Sequence, residues 1–336
     1  MRIQLIGLGH VGQSLIELIE EKKELLTRSG LDPSIVSVSD SEGTATDKAG
    51  LDTADLLKYK KLSWKGFRKY VKGYGALDAI REIESDIVVE LTPSTFNGEP
   101  GLSNIRTALT ARKNVVTSNK GPLVVAYKQL TKMARENGVK LLYEATVGAH
   151  VPVFCLAESC FKADKLQNVR GILNATTNFV LGEMQKGKTF ERAIDEAVKA
   201  GWAETDYSDD VDGIDAARKL VIMANTFFDA NAKLGNVKVE GIRHIEPLVD
   251  EARRRKRRIK LVCEIKRGEH ELAMSVSPLI VASDDQLATV NQGDMAVRFT
   301  FETSKEIFVS ARFLGPRQTA YAVLNDMAKT NQKQAC

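Results

Sequence analysis

Hydrophobic positions change period along this chain. Arg2–Ile6 is a short apolar run of strand character, and Ser14–Ile19 then repeats its apolar residues at helical spacing. Further apolar runs at Ile35–Val38, Ile87–Leu91, Asn114–Thr117 and Lys140–Tyr143 predict strands. Helical patterns fall between them, near Ala76–Ile83, Ser103–Ala111 and Val124–Glu136. Strands that alternate with helices imply an α/β, doubly wound parallel sheet over residues 1–150, with ligands beyond the carboxyl ends of its strands. From residue 151 to 310 the pattern changes. Helices fit Pro152–Cys160, Thr189–Ala200 and Asp209–Phe227. Strands fit Val169–Leu173, Ile259–Ile265, Ala273–Pro278, Ala296–Thr303 and Ile307–Ser310. This predicts an α+β domain with a mixed or antiparallel sheet and helices on one face. Residues 311–336 predict a return segment whose helix, Thr319–Gln332, runs back to the first domain.

Composition narrows the class without naming it. The chain has 336 residues, 43% hydrophobic and 27% charged, with a net charge of +4, as in ordinary two-domain globular proteins. That charge gives little support to a nucleic-acid partner. The basic run Arg253–Arg258 reads as a solvated helix end, without aromatic residues to stack bases. No apolar run approaches the roughly 20 residues that span a bilayer. No cleavable leader is read at the N-terminus. Cys155, Cys160, Cys263 and Cys336 have neither C-x-x-C nor metal spacing and read as reduced thiols of a cytoplasmic protein. Whether Cys336 pairs across a dimer is left open.

Gly7-Leu8-Gly9-His10-Val11-Gly12 stands between the first strand and the first helix. In such a G-x-G-x-x-G the first glycine allows the tight turn. The second admits a pyrophosphate to the backbone, and the third lets helix and strand pack closely. The helix N-terminus offers free N–H groups to phosphates. A Rossmann-type dinucleotide site follows, formed by Gly7, Gly9, His10, Val11 and Gly12. Asp40, at the end of the second strand, is placed to hydrogen-bond ribose hydroxyls and to disfavour a 2′-phosphate, which favours NAD over NADP. Thr92, Ser118 and Lys120 follow later strands, where such sheets bind ligands.

Gly201–Lys219 is densely acidic and ends in Arg218-Lys219. Asp215 and Lys219 are four apart and share a helix face, while Val211, Ile214, Ala217 and Val221 form another face for a core. One rigid element would then present carboxylates and an amine together, as needed to hold an ammonium and move a proton. The plainer reading is an acidic helix start with a solvated ion pair.

Five segments, in order, decide between these readings. They are G-L-G-H-V-G (7–12), V-V-T-S-N-K-G-P-L (115–123), E-A-T-V-G-A (144–149), G-I-L-N-A-T-T-N-F-V-L (171–181) and A-E-T-D-Y-S-D-D-V-D-G-I-D-A-A-R-K (203–219). Together they make the chain resemble a homoserine dehydrogenase, in the short monofunctional form without a C-terminal regulatory domain. The resemblance is specific from residue 1 to about residue 225 and looser beyond. It implies reversible hydride transfer between L-aspartate 4-semialdehyde and L-homoserine with NAD or NADP, in threonine and methionine biosynthesis. It also implies a homodimer through the second domain. Residue by residue, Lys219 and Lys120 match catalytic lysines, the latter close to nicotinamide and substrate. Glu204 matches the carboxylate that binds the substrate ammonium. Asp210 and Asp215 match acidic residues of the substrate pocket, and Thr176 a substrate-contacting threonine. Glu144, with the carbonyls of Val147 and Ala149, matches a monovalent-cation site for an ion such as Na+.

Two departures keep alternatives in view. Ala175 replaces a glycine of the family. The closing loop Gly315-Pro316-Arg317-Gln318-Thr319-Ala320 is shorter and poorer in glycine than the family's, and Arg317 is placed there as a phosphate ligand that would favour NADP. An oxidoreductase for another amino-acid aldehyde, or a dinucleotide-binding regulator with impaired turnover, fits the same fold. A nucleophilic-cysteine dehydrogenase does not, because Cys155 and Cys160 fall on an apolar helix.

Overall fold

The structure is a computed structural model that describes residues 1–269 and 271–331; Cys336 and its pairing lie outside the described residues. The chain forms two compact units. The first comprises Met1–Thr146 and the segment from Pro316 onward, and the second Val147–Gly315.

In the first unit the elements run β1 (Arg2–Ile6), α1 (His10–Glu21), α2 (Lys23–Arg28), β2 (Ser34–Ser39), β3 (Gly43–Thr46), α3 (Thr53–Lys61), β4 (Tyr70–Lys72) and α4 (Ala76–Glu82). They continue as β5 (Ile87–Glu90), α5 (Gly101–Thr110), β6 (Asn114–Thr117), α6 (Lys120–Glu136) and β7 (Leu141–Leu142). The strand order is β4-β3-β2-β1-β5-β6-β7. The five strands from β2 to β7 pair in parallel, whereas β3 and β4 join the β2 edge antiparallel. That antiparallel pair was not expected from the sequence. Its four- and three-residue strands, G-T-A-T and Y-V-K, are too short to show a period of two. Strands β1 and β5 are buried along nearly their whole length, as in a sheet covered by helices on both faces.

In the second unit α7 (Val153–Cys160), β8 (Leu166–Ile172), α8 (Ala175–Gln185), α9 (Phe190–Lys199), α10 (Ser208–Val211) and α11 (Ile214–Phe228) come first. Strand β9 (Lys238–Val239), α12 (Glu246–Arg254), β10 (Arg258–Arg267), β11 (Leu272–Val281), β12 (Met295–Phe301) and β13 (Glu306–Ala311) follow. Their sheet, β13-β12-β8-β10-β11-β9, is antiparallel except for the parallel β9–β11 edge. Helices α8, α11 and α12 pack on β10. Beyond this unit, α13 (Pro316–Thr330) belongs to the first unit, where it packs along α1.

One predicted helix is corrected. The span Asp209–Phe227 is two helices, because Gly213 between α10 and α11 has φ +78°. A side chain there would strain the backbone and put a Cβ 3.0 Å from Val239 Cγ1. The break re-aims the acidic segment relative to α11.

Candidate active site

The glycine loop closes the carboxyl end of β1. Gly7 has φ +93°, and a Cβ on it would lie 2.8 Å from the Leu91 carbonyl carbon. A Cβ on Gly12 would lie 2.5 Å from the Gly7 carbonyl oxygen. Gly9 differs: a Cβ there meets nothing within 4 Å. The space over Gly9 is therefore open to a ligand. Gly9 also N-caps α1 without any side-chain cap, and His10 beside it is exposed. These features fit a dinucleotide pyrophosphate on the helix N-terminus.

At the neighbouring strand ends, buried Glu90 joins two of the predicted loops. It accepts hydrogen bonds from the Thr92 N–H (3.1 Å), the Thr92 hydroxyl and the Thr117 hydroxyl (3.2 Å). Asn119 Nδ2 donates to Thr92 Oγ1 at 3.1 Å, and Asn119 Oδ1 caps α6 by accepting from the Gly121 N–H. Thr92, Ser118 and Lys120 thus sit on loops tied together beneath. Burial pushes the Glu90 carboxyl above the usual carboxylate range, against the hydrogen bonds from Thr92, Asn119 and Thr117.

Asp40 has a fuller set of partners than its sequence position suggested. Its carboxylate accepts from Trp64 Nε1 (2.6 Å), the Tyr70 hydroxyl (2.8 Å), Lys60 Nζ (3.2 Å) and the N–H groups of Glu42 and Gly43 (3.0 and 3.2 Å). Trp64 stacks on Tyr70 with ring centroids 4.9 Å apart. Asp40 is therefore the anchor on which α3, the turn after it and β4 fold against β2. Burial raises its pKa, but the donors from Trp64, Glu42, Tyr70 and Lys60 outweigh burial and hold it below the usual value of 3.8. A folded pKa below the unfolded one stabilises above pH 3.8 and ceases to do so as pH falls through the folded value. Asp40→Asn is expected to cost about 2–4 kcal/mol at pH 7. The difference from the parent should shrink below pH 3.8. Urea unfolding at pH 7 and pH 3 measures both; a difference that does not shrink at low pH would remove the carboxylate charge from the account.

In the second unit the acidic segment and α11 meet the exit of β8. Lys219 Nζ is 2.6 Å from Asp215 Oδ2 and donates to the Leu173 carbonyl at 2.5 Å. Asn174 Nδ2 donates to Asp210 Oδ1 at 2.6 Å and to Asp215 Oδ2 at 3.0 Å. Burial, then the charge of Asp215, raises the Asp210 pKa, while Asn174 and Lys219 oppose the rise. Thr176, buried, donates its hydroxyl to the Trp202 carbonyl at 2.8 Å. Glu204 lies exposed on the connecting segment two residues later. Cys263 on β10 is fully buried, and burial pushes its thiol up to about 12, so it is no nucleophile.

The remaining expected residues are placed as follows. Glu144, in the first unit, is buried with its carboxylate 3.5 Å from Lys329 Nζ, and its N–H donates to Asp326 at 2.8 Å. Val147 and Ala149 open the second unit. Among the described residues no three His, Cys, Asp or Glu side chains gather as for a metal. Arg317 lies 3.9 Å from Glu17 and donates to Glu21, so its guanidinium is held on α1. Within the basic run, Arg253 pairs with Asp250 and Arg255 with Glu251. Asn174, Glu90 and Asn119 were not picked out from the sequence. Each carries only a local signal: a polar residue before a predicted helix, or an acid closing an apolar run.

Two family models cover the chain: the homoserine dehydrogenase NAD-binding domain over residues 7–144 and the homoserine dehydrogenase domain over residues 152–328. The chain is 36% identical to a homoserine dehydrogenase of Methanocaldococcus jannaschii, over 97% of each chain. The chain belongs to the homoserine dehydrogenase family. An NAD(+)-dependent homoserine dehydrogenase of Pseudomonas canavaninivorans is 34% identical over 98% of this chain and 96% of that one. Among solved structures, a putative homoserine dehydrogenase of Archaeoglobus fulgidus matches with a TM-score of 0.88 and 34% identity, covering 98% of both chains. A hyperthermophilic archaeal homoserine dehydrogenase in complex with NADPH matches with a TM-score of 0.81 and 28% identity, covering 98% of this chain and 97% of that one. The Gly7–Gly12 loop therefore falls in the family's NAD-binding domain, and the Asp210–Asp215–Lys219 cluster in its second domain.

Proposed function

We propose that this homoserine dehydrogenase interconverts L-homoserine and L-aspartate 4-semialdehyde through the Lys219–Asp215 pair, with Asp210 and Glu204 holding the substrate ammonium. The observation that carries this reading is the lysine held between a carboxylate at 2.6 Å and a strand-end carbonyl at 2.5 Å. When bound, the nicotinamide dinucleotide supplies or takes the hydride. As hydride reaches the aldehyde carbon, negative charge grows on the carbonyl oxygen. A protonated Lys219 stabilises that charge and donates its proton to the oxygen; in reverse the amine takes the hydroxyl proton. Asp210 and Glu204 fix the α-ammonium, which orients the reacting carbon. Thr176 contributes from the start of α8. Lys120, Ser118 and Thr92 serve the coenzyme side from the strand ends of the first unit.

For the coenzyme we propose NAD. The name of the Pseudomonas relative supports it. Asp40, expected to hold the ribose, commits its carboxylate to five donors of its own unit and adds no support. The NADPH bound to the archaeal structure is the competing precedent. For Glu144 we keep a monovalent-cation role, for an ion such as Na+, as part of the proposal; its carboxylate lies 3.5 Å from Lys329 Nζ. Family membership also supports a cytoplasmic homodimer built on the sheet of the second unit. No helix among the described residues is long and apolar enough to cross a membrane.

The test is absorbance at 340 nm with L-homoserine and each coenzyme separately. Growth with NAD at least tenfold faster than with NADP is expected. Equal rates would defeat the coenzyme assignment. No growth with either coenzyme, despite dinucleotide binding, would favour the regulator reading raised by the short Gly315–Ala320 loop.

A further inference from the structure

We propose that Asn174 is a positioning residue of the active site: its one amide group holds Asp210 and Asp215 side by side while fixing the start of α8. Asn174 is buried, 4% exposed, at the junction of β8 and α8. Its Oδ1 accepts from the Thr177 N–H at 2.9 Å and from the Thr177 hydroxyl at 3.0 Å. A backbone N–H can only donate, so this end must be the oxygen and the other the NH₂. The NH₂ has two hydrogens that diverge. They meet two ionisable acceptors, Asp210 Oδ1 at 2.6 Å and Asp215 Oδ2 at 3.0 Å. No other neutral side chain of this size both caps a helix and donates twice in this way.

The arrangement answers an electrostatic problem. Two carboxylates in a buried site raise each other's pKa, and a protonated Asp210 cannot hold an ammonium. The groups that face Asp210 are Asp215 and Lys219 from α11, and Thr176 and Asn174 from the start of α8. Cys263 of β10 lies behind Asp215 and Lys219. Lys219 is committed to Asp215 and the Leu173 carbonyl. Asn174 is thus the neutral donor shared by both acids. Residues 173 and 174 are adjacent, so the exit of β8 sets the lysine through a carbonyl and the carboxylates through an amide. The inference rests on the roles proposed above for Asp210, Asp215 and Lys219.

Asn174→Ser and Asn174→Thr test it, because both stay neutral, both keep an oxygen that can cap α8 and both lose the double donor. KM for homoserine is expected to rise at least tenfold, with KM for the coenzyme within twofold of the parent. The acid limb of the pH profile of kcat/KM should move up by at least one unit. A second readout needs no turnover. In full-length protein with ¹³C-carboxyl aspartate, the Asp210 resonance, identified by its loss in Asp210→Asn, should titrate at higher pH in both variants. An unmoved acid limb and an unmoved resonance would leave Asn174 as a helix cap only and overturn the proposal. Loss of folding in both variants would overturn it too, since the cap survives in each. If the parent itself fails to oxidise homoserine, the functional reading fails, while the resonance still decides the role of Asn174.

Discussion

Replacing Lys219 with alanine is expected to lower homoserine oxidation by about 10²–10⁴-fold, the usual contribution of a positioned acid–base group. Dinucleotide affinity should stay within twofold, because the glycine loop belongs to the other compact unit. Lys219 is 12% exposed in its side chain, with Asp215 and the Leu173 carbonyl as partners, so truncation leaves Asp215 without its cation. Some loss of stability will accompany the loss of rate. The two separate by measuring kcat at a temperature where circular dichroism shows the variant folded. Lys219→Arg sharpens the result. Arginine keeps the charge but cannot give up its proton near neutral pH, so the charge-pair contribution to stability should return while turnover does not. If Lys219→Ala oxidises homoserine at the parent rate, the proton passes through another group and the proposed mechanism is wrong.

The second large effect separates two glycines of one motif. Gly12→Ala should unfold or grossly destabilise the first unit, because its Cβ would lie 2.5 Å from a backbone oxygen that cannot swing aside. Gly9→Ala should fold as the parent does, since nothing lies within 4 Å of its Cβ. Its methyl group would occupy the space that a pyrophosphate needs over the helix N-terminus. The expected outcome for Gly9→Ala is an unchanged melting temperature and coenzyme binding weakened at least tenfold by fluorescence titration. For Gly12→Ala the melting temperature itself should fall by more than 10 °C. Coenzyme binding unaffected by Gly9→Ala would mean that the dinucleotide does not lie over this loop.

Much of this was legible in the residues. The apolar runs at Arg2–Ile6, Ile87–Leu91 and Asn114–Thr117 became neighbouring parallel strands. The four-residue spacing of Asp215 and Lys219 became an ion pair on one helix face. Local periodicity and local spacing carry such features, because few distant residues are needed to produce them. The anchoring of Asp40 was not legible. Its side-chain donors Lys60, Trp64 and Tyr70 lie 20, 24 and 30 residues further along the chain. No local pattern marks which of many acids will receive them.

The same division runs through the Asp210–Asp215–Lys219 cluster. By itself the sequence determined the glycine loop between strand and helix, the two-part α/β organisation and the lysine–aspartate pair, all properties of contiguous segments. The resemblance named Asp210 as a pocket acid, but only the tertiary structure decided how it joins that pair. On an unbroken helix Asp210 and Asp215, five residues apart, would point about 140° away from one another. The left-handed turn at Gly213 breaks the helix between them, and the packing of α8 against α10 brings Asn174, the cap of α8, within hydrogen-bonding distance of both. Hydrogen bonds across 36 and 41 residues of chain depend on how separate elements pack, and that packing is a property of the folded core as a whole.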